Sequence, residues 1–231
     1  MNPSPYRDEA VWSNGSSYYG GFAPVQEKRF TVYGVVKRTM DIVGSMAGLL
    51  MLSPLIALIA LCIKLEDPKG PVFFYQTRIG KNGKPFRMFK LRSMAVNAEE
   101  KLKELLDKNE INGAMFKMKD DPRITKVGKI IRKTSIDELP QLMNVLRGEM
   151  SLVGPRPPLV REVSEYSDYD KQRLAVTPGC TGLWQVSGRN SLSFKEMVEL
   201  DLSYIQKKCI WLDIKIMLRT VKAIIAPQDA Y

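Results

Sequence analysis

Between Ile42 and Ile63 the chain reads IVGSMAGLLMLSPLIALIALCI, 22 residues without a charge. At about 1.5 Å per residue a straight helix of that length just crosses a hydrocarbon core of about 30 Å, so the chain is expected to attach to a membrane. Ser53 and Pro54 fall in the middle of the run. Proline removes the amide that would bond Leu50 and disfavours helical geometry at Ser53, so a bend is expected there. Carbonyls freed in lipid need a donor, and the Ser53 hydroxyl can reach back to Leu49 or Leu50. Two topologies fit: a kinked spanning helix, or a re-entrant hairpin that enters and leaves at one face. Residues 28–41 carry a net charge of +3, and residues 64–92 carry eight basic and two acidic groups. Positive charge favours the cytoplasmic side, and here both flanks want it, but kinked spanning helices are common and the first flank is short. Both topologies stay open on these residues.

The whole chain, 231 residues, suits one domain of ordinary size with accessories. Its 35 Lys and Arg against 25 Asp and Glu predict affinity for an anion: lipid, nucleic acid or phosphorylated small molecules. No nucleic-acid recognition module is visible, and a long segment is committed to lipid, which argues against a nucleic-acid partner. Cys62, Cys180 and Cys209 have neither C-x-x-C spacing nor a histidine to complete a zinc site, and are read as small buried hydrophobes in a reducing compartment. The first thirty residues, rich in Ser, Gly, Asn, Pro and Tyr, have no continuous apolar core and are expected to be a disordered tail without a secretory signal.

Beyond the apolar run, VFFYQTRIGKNGKPFRMFK alternates as two short strands around Asn82 and Gly83, a hairpin signal. Asn97 and Glu100 suggest a capping box for a helix carrying Leu102, Leu105 and Leu106. Near the end Ile210, Ile214, Met217, Val221 and Ile224 recur at helical spacing, opposite Lys208, Lys215, Arg219 and Lys222. Such a helix can lie among lipid headgroups or cover a core equally well.

The chain contains no histidine, so the commonest general base and nitrogen metal ligand is missing, and acid, base or metal chemistry falls to carboxylates. Those that stand out are Asp137 and Glu138, within RKTSIDELPQLMNVLRGEMSLVGPRPP. Pro140 fits a first helical turn, so a helix starting at Ser135, Ile136 or Asp137 and ending before Gly148 is expected. In isolation, capping explains the pair: Asp137 as N-cap, or Ser135 and Glu138 as a capping box. The surroundings point elsewhere. Arg132 and Lys133 precede the pair, and Arg156 sits inside Gly-Pro-Arg-Pro-Pro, where stiff backbone presents a guanidinium fork suited to phosphate. Phosphate and two carboxylates repel one another, and a divalent cation with hard oxygen ligands, Mg²⁺, resolves the conflict. The remaining carboxylate could then attack phosphorus or activate an attacking oxygen. In PGCTGLWQVSGR, Gly179 and Gly182 allow close backbone approach, Trp184 offers a stacking face, and Gln185 and Arg189 are donors. The segment fits a nucleotide seat or a tight structural loop around a core tryptophan.

With its Ser53/Pro54 helix break, FKMKDDPRITKVGKIIRKTSIDELPQ, SLVGPRPP and PGCTGLWQVSGR in that order, the chain resembles the bacterial sugar transferases from about Lys37 to Ala226. These are monotopic phosphoglycosyl transferases that move a phosphosugar from a nucleotide diphosphate sugar to polyprenyl phosphate. The resemblance implies a re-entrant helix broken at Ser53 and Pro54, and a catalytic domain on the cytoplasmic face of the bacterial inner membrane. It also implies Asp137 as nucleophile through a phosphosugar-aspartyl intermediate, Glu138 as Mg²⁺ ligand, and Arg132 and Arg156 on phosphate. Thr177 stands where many relatives carry Lys or Arg, and Cys180 where a branched aliphatic is common.

The expected fold is α+β and mainly helical. A polar tail occupies 1–33, the membrane helix-break-helix 34–65, a catalytic domain with a short hairpin and amphipathic interfacial helices 66–226, and a tail 227–231. Expected partners are a UDP-sugar, polyprenyl phosphate and membrane lipid, with a second copy of the chain as a further candidate. The rival reading from another class is a non-catalytic basic peripheral protein that binds anionic lipid.

Overall fold

The computed structural model describes residues 31–98, 100–101, 118, 121–188 and 191–225. The N-terminal tail, the helix expected around Leu102 to Leu106, Arg189 and the last six residues lie outside them. The described chain is mostly helical, with one antiparallel hairpin and one short parallel pair.

Helix α1, Val32–Glu66, is 35 residues long, and Thr31 caps it by accepting the Gly34 amide at 3.1 Å. It is long and apolar enough to cross a membrane. Helical structure continues through Pro54, with no gap in the element at the expected break. The Ser53 hydroxyl donates to the Leu50 carbonyl at 2.9 Å, supplying one donor at the point where proline supplies none. One face of α1 carries Lys37, Asp41, Ser45, Gly48, Leu52, Ile56, Ile59 and Ile63, four and three residues apart, all at least partly buried. The other face exposes Val43, Met46, Leu50, Met51, Leu58, Leu61 and Leu65. Among the described residues nothing covers apolar surface on that scale.

Both ends of α1 are fastened to the same body. Toward the C-terminal end, Ile56, Ile59 and Ile63 pack with Leu91 and Ile131. Glu66 accepts the amides of Lys126 at 2.7 Å and Val127 at 3.1 Å, two free donors at the start of helix α2, Lys126–Lys133. Asp67 meets Arg92 at 2.5 Å beyond the helix end.

The hairpin follows as expected. Strands β1, Phe73–Ile79, and β2, Pro85–Leu91, pair from Phe73↔Leu91 to Ile79↔Pro85. Asn82 and Gly83 turn the chain at φ 57° and 75°, conformations that Asn and Gly tolerate best. Helix α3, Gln141–Arg147, ends at Gly148 with φ 80°, and strand β3, Ser151–Val153, runs parallel to β4, Gly179–Thr181. Between these strands lie the short helices α4, Val160–Ser164, and α5, Asp168–Lys171.

Helices α6, Phe194–Lys207, and α7, Ile210–Ile225, close the body. The inward face of α7 is Asp213, Ile216, Met217 and Thr220; of the stripe that spacing suggested, Met217 packs inward, Ile210 and Ile214 are half-buried, Val221 is exposed, and the Ile224 side chain lies outside the described residues. Buried Asp213 accounts for the rotation: it accepts from Lys37 and Tyr33, each at 3.0 Å, and from Tyr204 at 2.8 Å. Trp211, Leu218 and Val221 are left exposed beside Lys215, Arg219 and Lys222. The cysteines are unpaired; Cys180 packs against the core, but Cys209 is exposed, contrary to the expectation that all three are buried.

Candidate active site

Helix α2 starts at Thr125, whose hydroxyl accepts the Gly128 amide at 2.9 Å, and places Arg132 and Lys133 on its last turn. The link to α3 is a single 3₁₀ turn, Ile136–Glu138, entered through Ser135 at φ 56°. A left-handed serine turned this way makes no side-chain cap, and its carbonyl instead accepts the Glu138 amide. The helix expected from Ser135, Ile136 or Asp137 is therefore split in two, and the capping box is not formed. Pro140 stands where α3 needs no amide donor. Ile136 packs into the cluster around Ile131, which fixes the turn against the body.

Asp137 is 8% exposed, and among the described residues its carboxylate has no side-chain hydrogen-bond partner. Burial pushes its pKa up to about 6, with the neighbouring Glu138 adding to the rise and Lys90 and Arg132 opposing it. Glu138 behaves oppositely. Burial also raises it, but Lys90, whose ammonium lies 2.7 Å from Oε1, together with Arg156 and Arg78, holds it below the usual carboxylate range. The two adjacent acids are thus shifted in opposite directions, one by burial and the other by the cations around it. Lys133 is exposed and is not among the leading charges felt by either acid.

Arg156 lies in the strap Gly154–Pro158, which leaves β3 and is held from both sides. The Gly154 amide donates to Thr181 O and the Gly179 amide to Pro155 O, both at 2.8 Å. A Cβ at Gly179 would sit 2.0 Å from the Gly154 nitrogen, so only glycine lets the two segments meet. On the far side the Ile79 amide donates to Pro158 O and Arg78 Nη1 to Pro157 O, both at 3.0 Å. Burial, with Arg156 nearby, pushes Arg78 down to about 10, and among the described residues its buried Nε has no partner.

Of the loop residues, Gly179 and Gly182 spend their close approach on the backbone of Gly154. Trp184 is 7% exposed, so its ring is core and not an open stacking face, while Gln185 is half-buried. In this geometry the loop braces the strap that carries Arg156. Asp137, Glu138, Arg132 and Arg156 are gathered at one place; Ser53 and Pro54 sit in the exposed middle of α1.

Lys90 and Arg78 were not foreseen. A signal existed for Lys90: it alternates with Phe86 and Met88, so it occupies a core-facing position of β2. Asn144, fully buried, ties α3 to that strand, accepting the Phe89 amide at 3.0 Å and donating to Arg87 O at 2.7 Å.

The described residues thus bring together an acid pair on a tight turn, guanidinium groups around it and a helix long and apolar enough to cross a membrane. Residues 32–227 match the bacterial sugar transferase family model, and the chain belongs to that family. It is 53% identical over 192 residues to the galactosyl transferase CpsE of Streptococcus agalactiae, covering 83% of this chain and 42% of that one. It is 47% identical over 200 residues to the undecaprenyl-phosphate galactose phosphotransferase of Salmonella typhimurium, covering 85% and 42%. With the exopolysaccharide production protein ExoY of Rhizobium meliloti it shares 41% identity over 202 residues, covering 86% and 89%. The chain thus spans less than half the length of the first two relatives and nearly all of the third.

Proposed function

We propose that the chain is a phosphoglycosyl transferase that moves a sugar 1-phosphate from a UDP-sugar to polyprenyl phosphate and releases UMP, opening the synthesis of a surface polysaccharide. The observation that carries this reading is Asp137: a buried carboxylate, unpaired among the described residues, beside a cation-holding Glu138 and facing arginines. Relatives named as undecaprenyl-phosphate sugar phosphotransferases support it.

In the first step an Asp137 oxygen attacks the β-phosphorus, a P–O bond to the α-phosphate side breaks, and UMP leaves with the electron pair. In the second, an oxygen of polyprenyl phosphate attacks the same phosphorus, the aspartyl P–O bond breaks, and Asp137 is restored. Arg132, Arg156 and Arg78 offset charge on the phosphates, and dry surroundings strengthen that attraction. The donor set suits Mg²⁺: adjacent carboxylates with oxygen only, one of them already holding a cation in Lys90. Among the described residues no group of three or more His, Cys, Asp or Glu gathers, so phosphate oxygens and water would complete the shell around Glu138 and Asp137. Bound there, the metal would neutralise the diphosphate and favour the leaving group.

The membrane reading is monotopic and re-entrant, with the body on the cytoplasmic face of the inner membrane. It is supported by the attachment of both ends of α1 to one body, since a spanning helix would carry one end's partners across the bilayer. Trp211, Leu218 and Val221 of α7, flanked by Lys215, Arg219 and Lys222, suit the headgroup layer.

The test is UMP release from a panel of UDP-sugars by protein in vesicles with and without polyprenyl phosphate. Release that depends on the lipid phosphate and disappears in Asp137→Asn supports the reading. Lipid binding with no release from any UDP-sugar would leave a basic peripheral protein. For topology, Val32→Cys and Lys69→Cys should label from the same side of the bilayer; opposite sides would establish a spanning helix.

A further inference from the structure

We infer that Arg38 and Asp41, on the arm of α1 before Pro54, are positioning residues that set the acid pair against Arg156. The inference rests on the transferase reading for its kinetic consequence but not for its geometry. The acid pair stands immediately before α3, and Arg156 immediately after β3, so the spacing between them depends on how α3 and β3 are joined. Three residues, 148–150, make that connection in sequence, and Gly148 turns through a left-handed conformation.

The arm of α1 bridges the same two elements from outside. Arg38 donates from Nη1 to Val145 O at 2.6 Å and from Nη2 to Leu146 O at 2.7 Å, gripping the last turn of α3 by two carbonyls, of which Val145 O also accepts the Gly148 amide at 3.0 Å. One turn on, Asp41, 5% exposed, accepts from the Ser151 hydroxyl at 2.9 Å and the Leu152 amide at 2.8 Å, both in β3. Lys37 adds a bond to Val153 O at 2.9 Å, the residue before the strap. Gly44 and Gly48 let Leu152 and Leu142 approach the helix, where a Cβ would stand 2.8 Å and 3.0 Å from their Cδ1 atoms. Fastening to lipid needs none of these bonds. A buried aspartate and an arginine spread over two carbonyls are costly in an otherwise apolar segment, and what they hold is the frame of the site.

The experiment uses the full chain in lipid nanodiscs, with Arg38→Ala, Arg38→Lys, Asp41→Asn and Ser151→Ala. Amide hydrogen exchange is read over residues 148–156, alongside membrane retention and the kinetics of UMP release. In Asp41→Asn, exchange at 151–153 is expected to rise about tenfold or more, the loss of a charge-assisted bond. The kcat should fall by on the order of tenfold to a hundredfold, while KM for the UDP-sugar stays within about threefold, because the reacting groups are displaced and binding contacts are kept. Arg38→Lys should restore part of the loss, since one ammonium cannot span both carbonyls as the fork does. Ser151→Ala, the mildest change, should lower kcat in the same direction and combine non-additively with Asp41→Asn. Full kcat despite faster exchange would overturn the proposal. So would a fall in rate no larger than the loss of folded, membrane-bound protein. Wild-type protein that releases no UMP from any UDP-sugar defeats the transferase reading instead, and exchange at 148–156 then still decides whether the arm holds α3 and β3.

Discussion

Replacing Asp137 with asparagine should destroy activity and make the protein more stable at neutral pH. In the folded chain the carboxyl titrates near 6, against an ordinary value of 3.8. The fold therefore holds the proton more tightly than the unfolded chain does. Its contribution to stability is fully present below about pH 4 and is lost as pH rises through about 6. About two pKa units at about 1.4 kcal/mol each put the penalty of the ionised form near 3 kcal/mol as a ceiling. An amide of the same shape must itself be buried, at about 1–2 kcal/mol, so a net gain of about 1–2 kcal/mol is expected. At about 2–4 °C per kcal/mol for a chain of this size, the melting temperature should rise by a few degrees. The assay compares melting of wild type and Asp137→Asn in nanodiscs at one scan rate, at pH 7.5 and near pH 4, with EDTA present to keep divalent cations off the site. The gain should appear at pH 7.5 and vanish near pH 4. An asparagine variant no more stable at pH 7.5, or equally favoured at both, would refute the claim that the site stores the cost of a buried charge.

Lys90→Met removes the strongest favourable charge on both acids, so the acid limb of UMP release against pH should move up by on the order of one unit, and Lys90→Arg should shift it less. An unmoved limb would separate Lys90 from the chemistry. Asn144→Ala removes the acceptor of the Phe89 amide and a donor to the Arg87 carbonyl, and should cost about 2–4 kcal/mol in denaturant unfolding; a change under about 0.5 kcal/mol would mean that α3 is not held by that side chain. Gly179→Ala forces the strap away from β4, so UMP release should drop well beyond any change in membrane-bound protein, and a fully active variant would show that the strap tolerates displacement.

Features legible in the sequence were those encoded within a few residues. Alternation around Asn82 and Gly83 marks the hairpin, Gly148 marks the end of α3, and the carboxylate pair stands out because no histidine competes with it. What escaped depends on partners far along the chain. The Lys90–Glu138 pair joins residues that only strand register and the packing of β2 on the turn bring together. Ser135 and Glu138 spell a capping box, but the link between α2 and α3 is too short to start a helix there, and the serine turns left-handed instead. Lys37 and Arg38 counted as topological charge, yet both are consumed in bonds to β3, α3 and Asp213. Asp213 misplaced the face of α7 for the same reason, because a pattern of apolar residues treats every aspartate as surface.

On the proposed reading, a sequence without histidine leaves the attack on phosphorus to a buried acid. A carboxyl in water is fully ionised at neutral pH but well solvated, and its hydration must be stripped before it can approach a phosphorus that already carries negative oxygens. Burial performs that stripping in advance, and its visible trace is a pKa lifted toward the range histidine normally occupies. The lift must stop near 6, since at pH 7 a carboxyl of that pKa is still roughly nine-tenths ionised, while two more units would leave about one-tenth reactive. Lys90 and Arg132 supply the opposing pull that stops it. Glu138, taking the ammonium of Lys90 directly, is kept charged through the same cation. On the proposed reading, nucleophile and cation ligand would both be tuned by one lysine on β2, 48 residues from Glu138, which the register of that strand brings to the turn.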